Sequence, residues 1–293
     1  SGGLDSSLIV AKASEVENKI NTFNVKFSNS KELDESTYAK KISNYYGTNH
    51  TEIDINDFDV NDLKNLAFIS DNPIADSSLI PTFLVSKKIS KNYKVALGGD
   101  GADELFGGYS LYQKIILLKY LKRILPTKIL KNLNHIFKNN YRIKKILYFF
   151  LNNVSEEILL TKYFTDFNNL FSRQIDFQNR HNFKNFNLSD DIVQNLSQLD
   201  FKFFLQNNIL TKTDRASMHN SLELRSPFLS KNIINFAMND LNGENKSTLI
   251  NKKIFLKTYA KTILPKEFNF NRKQGFSLAI NKFLFNDKFE KYI

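Results

Sequence analysis

Leu97-Gly98-Gly99-Asp100-Gly101-Ala102-Asp103-Glu104-Leu105-Phe106-Gly107-Gly108-Tyr109 is the stretch on which the reading of this chain turns. It holds five of the chain's ten glycines and three carboxylates within 13 residues. The apolar run Lys94 to Leu97 leads straight into it as a short strand would. Crowded carboxylates on a flexible loop repel one another unless a cation or a proton joins them, so Mg²⁺ ligation or acid-base work is the natural inference. A solvated acidic turn is the plain alternative, and the apolar flanks Leu97, Leu105 and Phe106 speak against it.

Working outward, helical and strand patterns alternate ahead of this loop. Leu8, Ile9, Ala11, Ala13 and Val16 suit a helix, and Thr22 to Phe27 a strand. Asp34 is placed to cap a helix carrying Tyr38, Ala39, Ile42 and Tyr45, with Gly47 past its last turn, and Thr51 to Ile55 is the next strand. Such alternation predicts an α/β fold with a doubly wound parallel sheet and its ligand site at the carboxyl ends of the strands. Beyond Tyr109 strand signals fade. The expected division is 1–110, α/β and nucleotide-binding, and 111–293, mainly helical. Leu111 to Leu133 reads as a basic amphipathic helix ended or kinked by Pro126, with a core-facing stripe preferred to a membrane-lying one. The Asn- and Phe-rich stretch Asp176 to Ser189 reads as a loop or insert.

Ser1-Gly2-Gly3-Leu4-Asp5-Ser6-Ser7 places two glycines between small hydroxyls at a helix start, where backbone N–H groups and the helix dipole favour an anion. The GxxxxGK[ST] spacing of a Walker A loop is absent. A Gly-rich turn before a helix is the bland alternative.

Composition narrows the classes. A 42% hydrophobic, 24% charged chain is unlike disordered or fibrous sequences. Zero Cys removes disulfides, thiolate metal sites and a cysteine nucleophile. The net charge of +11 is carried mostly by Lys in an Asn-rich chain, so a codon bias is preferred to a dedicated polyanion surface. His50, His135, His181 and His219 show no metal-ligand spacing. No run is long and apolar enough to span a membrane and no secretory signal is visible, so a cytoplasmic protein is expected.

The opening loop resembles the pyrophosphate-binding loop of the ATP pyrophosphatases, and the Leu97 to Tyr109 stretch closely resembles the signature loop of asparagine synthetases of the glutamine-hydrolysing type. Three further segments agree with that family in order: Asp71 to Ser78 with Pro81; Lys212 to Met218 with Glu223 to Leu229; and Leu264-Pro265 with Arg272 to Phe276. The resemblance runs from residue 1 to about residue 284. It implies an adenine nucleotide α-hydrolase-like sheet and a ligase that adenylates the side chain of L-aspartate, then transfers ammonia to give asparagine, AMP and pyrophosphate.

The same resemblance assigns Ser1, Gly2, Gly3, Ser6 and Ser7 to the pyrophosphate end of ATP, and Asp5 and Asp103 to Mg²⁺. Val25, Gly98 and Gly99 fall to adenine and ribose. Asp100, where many relatives have Glu, would take a proton from ammonia, and Lys273 would neutralise charge on the α-phosphate and the leaving pyrophosphate. Asp71 to Ser78 and Glu223 to Arg225 are candidates for gripping aspartate. The family's glutaminase domain, which frees ammonia from glutamine, and the strand before the opening loop do not fall within these 293 residues, so weak ATP binding is expected of this chain alone. Ser230 and Asn271 depart from the family's usual Asp and Arg. Related readings stay open: a β-lactam synthetase-like or lasso-peptide cyclase-like ligase, a tRNA-modifying protein sharing the opening loop, or an inactive interaction module. Nucleic acid is the less favoured partner, and a homodimer is left open.

Overall fold

The structure, a computed structural model, describes residues 1–28, 32–70, 74, 76–124 and 189–272. Asp71, Asn72, Pro73 and Ala75, the region 125–188 with Pro126, His135 and His181, and the segment from Lys273 onward lie outside the described residues. In chain order the elements are α1 (Leu4–Val16), β1 (Asn21–Lys26), α2 (Ser36–Tyr46), β2 (Asn49–Asp54), α3 (Val60–Ile69), α4 (Leu79–Ile89) and β3 (Val95–Leu97). They continue with α5 (Ala102–Phe106), α6 (Ser110–Ile124), α7 (Ile192–Leu199), α8 (Thr211–Met218), β4 (Glu223–Arg225), α9 (Lys231–Asn235), α10 (Gly243–Lys246) and α11 (Ile254–Ala260). The fold is mixed α/β with small parallel sheets.

Local sequence accounts for most boundaries. Gly3 is the extended residue before α1, and α2 stops where Gly47 turns left-handed at φ 63°, as its lack of a Cβ permits. Asp34 acts one residue earlier than a formal cap, accepting from the Ser36 N–H at 3.2 Å and the Ser36 hydroxyl at 2.7 Å. A reciprocal capping box joins Asp59 and Asp62 at the head of α3. The Asp62 carboxylate, nearly all buried, also holds Lys87 at 2.6 Å. Pro81 sits in the first turn of α4, where its missing N–H costs no helical hydrogen bond.

The chain forms two compact units. The first joins Ser1–Ala102, Phe201–Asn235 and the described residues from Phe255 on; the second joins Phe236–Ile254 to the described part of Asp103–Asp200. In the first, β1 and β2 pair in parallel from Asn21↔Asn49 to Lys26↔Asp54, and β3 and β4 pair in parallel from Val95↔Glu223 to Leu97↔Arg225. Val25, Phe27, Ile53, Phe58, Phe83 and Ala216 are at the heart of its apolar core, which α4 and α8 cover. In the second, Tyr112, Ile115 and Ile116 of α6 pack on Val193 and Leu196 of α7, so the described part of the basic amphipathic helix buries its stripe in the protein. No helix among the described residues is long and apolar enough to cross a membrane.

Strand β4 lies in the region where strand signals fade. Glu-Leu-Arg is short and two-thirds charged, with no periodicity to reveal it. Its extended shape comes from pairing with β3, where the Glu223 N–H donates to Lys94 O at 2.9 Å and the Gly98 N–H donates to Arg225 O at 2.9 Å.

Candidate functional site

Within the first unit the two glycine-rich segments meet. A Cβ on Gly99 would lie 3.2 Å from the Asp5 Cβ, a spacing that ties the end of β3 to the first turn of α1. The opening loop is also closed on itself. Ser1 Oγ and Ser6 Oγ are 2.8 Å apart, the Gly3 N–H donates to Ser1 Oγ at 3.2 Å, and the Ser6 hydroxyl donates to Gly3 O at 3.3 Å. Gly2 adopts φ 64° with its main chain against α2. No side chain caps α1, and the Ser1 and Ser6 hydroxyls lie at its amino-terminal turn. That arrangement fits a polyphosphate.

Ser7 lines the same groove as Ser1, Gly2 and Ser6, and Val25 does not. Ser7 is 1% exposed, its N–H donates to Gly3 O, and its hydroxyl is buried without a partner. Val25 is 4% exposed, with its side chain in the apolar core.

Asp100 follows Gly99 and is fixed from two sides. The Thr213 hydroxyl donates to its Oδ2 at 3.3 Å, and the Ser226 hydroxyl donates to its main-chain carbonyl. Burial raises its pKa above the ordinary carboxylate value; Lys212 and the Thr213 hydrogen bond oppose the rise, and Asp5 and Asp76 add to it. An acid with a raised pKa beside a phosphate-type cradle is suited to proton transfer.

Lys212 was not singled out as a functional residue by sequence reasoning. It is 6% exposed, and its Nζ lies 2.6 Å from Ser78 Oγ and 3.4 Å from Asp76 Oδ2. Burial alone would raise Asp76, but Ser78 and Lys212 outweigh it and hold the carboxyl below its usual value. The only available signal was a Lys at the head of the Asp-Arg-Ala-Ser-Met block. Arg272 was likewise unremarked: its Nη2 is 2.7 Å from Glu35 Oε1, and its guanidinium stacks 3.8 Å from the Tyr38 ring centroid. This anchors the chain one residue before Lys273, beside the α2 backbone that Gly2 touches.

Other candidates are less engaged. Glu223 and Arg225 are exposed and pair with each other at 2.8 Å. Asn271 Oδ1 accepts from Lys257 Nζ at 3.2 Å, and Ser230 leads into α9. His50 Nδ1 lies 2.9 Å from Thr22 Oγ1, and burial lowers its pKa.

The second unit holds the remaining signature carboxylates. Asp103 Oδ1 pairs with Lys253 Nζ at 2.7 Å. Burial lifts Glu104 to about 7 against the pull of the Tyr109 hydrogen bond, and the Ser197 hydroxyl donates to the Glu104 carbonyl at 2.6 Å. Lys246, fully buried, donates to Ser197 Oγ at 3.0 Å, and burial brings its pKa down to about 7. Among the described residues no three His, Cys, Asp or Glu side chains gather as a metal site. Asp5 lies in the first unit and Asp103 in the second.

A glycine-closed loop at the head of a helix, abutted by the carboxyl end of a parallel strand, places the chain in the mixed α/β class, whose ligand sites lie at such strand ends. Sequence comparison makes the class specific: the Asparagine synthase family matches residues 1–293, and the chain belongs to that family. It is 31% identical over 304 residues to asparagine synthetase [glutamine-hydrolyzing] 1 of Bacillus subtilis, covering 98% of this chain and 47% of that protein. A putative asparagine synthetase [glutamine-hydrolyzing] of Mycobacterium bovis is 28% identical over 97% of this chain and 45% of its own length. One from Methanocaldococcus jannaschii is 33% identical over 53% of this chain and 32% of its own length. The chain spans about half the length of the first two relatives.

Proposed function

We propose that this chain is the synthetase part of an ATP-dependent amide ligase that converts L-aspartate and ammonia into asparagine, with ammonia drawn from glutamine by a separate glutaminase domain. The observation that carries the reading is the approach of Gly99 to Asp5, which brings the signature loop onto the phosphate-type cradle. A carboxylate does not condense with ammonia in water, because oxide or hydroxide would have to leave. Transfer of AMP from ATP to the aspartate side chain replaces that poor leaving group; pyrophosphate departs, and ammonia then displaces AMP.

In this reading Ser1, Gly2, Gly3 and Ser6 hold the phosphates through main-chain N–H groups and hydroxyls. Gly98 and Gly99 give backbone access to the nucleoside, and Asp100 accepts a proton from the attacking ammonia. Lys273, which follows the anchored Arg272, supplies the positive charge that electrostatic stabilisation of the departing pyrophosphate needs. Mg²⁺, when bound, would screen phosphate charge, with Asp5 and Asp103 as its proposed ligands. The two parallel strand pairs would be parts of one doubly wound sheet, and the protein would work in the cytoplasm.

The test is pyrophosphate release from ATP and Mg²⁺ with ammonia and a panel of carboxylates. Release that depends on L-aspartate supports the reading. Release with another acid and none with aspartate transfers the chain to a related carboxylate-adenylating ligase.

A further inference from the structure

The first turn of α8 ties together two loops that are far apart in sequence. It carries Lys212 and Thr213, which are 6% and 8% exposed. Successive residues of a helix point about 100° apart, so the two side chains leave α8 toward different neighbours. Lys212 reaches the turn before α4, where its Nζ donates to Ser78 Oγ at 2.6 Å and to Asp76 Oδ2 at 3.4 Å. Asp76 is held there by the Ser78 N–H at 2.9 Å and the Ser78 hydroxyl at 2.6 Å, both donating to Oδ1, and by Asn208 Nδ2 at 3.5 Å from Oδ2. Thr213 reaches the loop after β3, and its hydroxyl donates to Asp100 Oδ2 at 3.3 Å. The helix itself is fixed, with Ala216 in the apolar core and Arg215 Nη1 donating to Ile69 O at 3.0 Å.

We propose that Lys212 is a positioning residue for Asp100: clamped by Asp76 and Ser78, it fixes the turn of α8 whose next residue holds the Asp100 carboxylate, and it keeps a positive charge beside that carboxylate. The geometry separates this role from simple pairing. Lys87 approaches Asp62 to 2.6 Å and Lys253 approaches Asp103 to 2.7 Å, as cations that neutralise one acid do. Lys212 stays 3.4 Å from Asp76 and makes its shortest bond to the Ser78 hydroxyl. Its charge is therefore available to a second acid. Burial is the largest influence against an ionised Asp100, and Asp5 and Asp76 add to it; Lys212 is the first to oppose them, ahead of the Thr213 hydrogen bond. One buried cation thus steadies the acid at the end of β3 through both its charge and its neighbour in the helix. That Asp100 accepts a proton from ammonia rests on the ligase reading; that Lys212 holds Asp100 does not.

The test compares the parent chain with Lys212→Met, Lys212→Arg and Thr213→Val, all below their unfolding transitions. Pyrophosphate and asparagine are measured in the same reaction with free ammonia held constant, and Asp100 is titrated through the NMR signal of its carboxyl carbon. Lys212→Met should lower the asparagine formed per pyrophosphate by about tenfold or more and move the Asp100 titration to higher pH, because the opposing charge is gone. Lys212→Arg keeps the charge and should stay within a few fold of the parent in both readings. Thr213→Val leaves the clamp on Asp76 and Ser78 in place and should give a smaller fall in the same ratio. In an Asp100→Asn background Lys212→Met should lower the ratio no further, since it acts through Asp100. An Asp100 titration unmoved by Lys212→Met, or a further fall of about tenfold in the Asp100→Asn background, would overturn the proposal. A parent chain that releases no pyrophosphate with L-aspartate would count against the ligase reading alone, and the Asp100 titration would still decide the role of Lys212.

Discussion

Gly2 and Ala39 are in a backbone contact that only glycine allows: a Cβ at Gly2 would lie 2.5 Å from the Ala39 nitrogen. Gly2 also has φ 64°, so an alanine there meets both a clash and left-handed strain. Gly2→Ala should cost about 2–4 kcal/mol, combining strain with overpacking, and should weaken ATP binding in isothermal titration. Gly47→Ala is the matched control, with φ 63° and nothing within 4 Å of the added methyl. It should cost only about 1 kcal/mol in denaturant unfolding. Equal losses in the two variants would show that the Ala39 contact is slack.

Lys212 links α8 to the start of α4, and its removal strands Asp76. Lys212→Met should destabilise the chain by about 3 kcal/mol, the low end for breaking a buried pair because Asp76 remains partly exposed. Adding Asp76→Asn should recover part of that loss. A double mutant as unstable as the sum of the singles would mean the two groups are uncoupled.

Lys273 and Asp100 should fail at different steps. Lys273→Ala is expected to reduce aspartate-dependent pyrophosphate release by about a hundredfold or more, as loss of a transition-state charge partner does. Asp100→Asn should leave pyrophosphate release within a few fold and lower asparagine formation by about a hundredfold. Measuring pyrophosphate and asparagine in the same reaction separates them. Parallel loss of both products in Asp100→Asn would remove it from the ammonia step.

Lys246 should give the second unit a pH-dependent stability. Burial takes its pKa from 10.5 down to about 7, so between these values the unfolded chain binds a proton that the folded chain does not. Stability therefore rises as pH increases from about 7 toward 10. Lys246→Met should remove that part of the slope, seen as a denaturation midpoint that climbs less with pH than in the parent chain. Identical slopes would place the Lys246 ammonium in contact with water.

Much of the fold was legible because its signals are local. Gly47 ends α2 by its freedom at positive φ, Asp34 accepts from Ser36 at the start of that helix, and the run into Gly98 is the strand expected there. β4 was not legible, since Glu223 to Arg225 becomes a strand only by borrowing the edge of β3. Among the candidate site residues, Ser1, Gly3 and Ser6 close the opening loop and Gly99 comes against Asp5, a contact between residues far apart in sequence. Ser7 is buried, because one residue along a helix turns a side chain by about 100° from that of Ser6. The roles of Lys212 and Arg272 were hidden because their partners, Ser78 and Asp76, and Glu35 and Tyr38, are far from them in sequence.

The sequence by itself determined the family, the helix and strand vocabulary and the two glycine-rich loops, because motifs, caps and turn residues act over a few positions. Only the tertiary structure decided that Gly99 rests on Asp5 and that Lys212 supports Asp76. Those relations depend on long-range packing and on which main-chain groups find partners, and neither is written in the order of the residues alone.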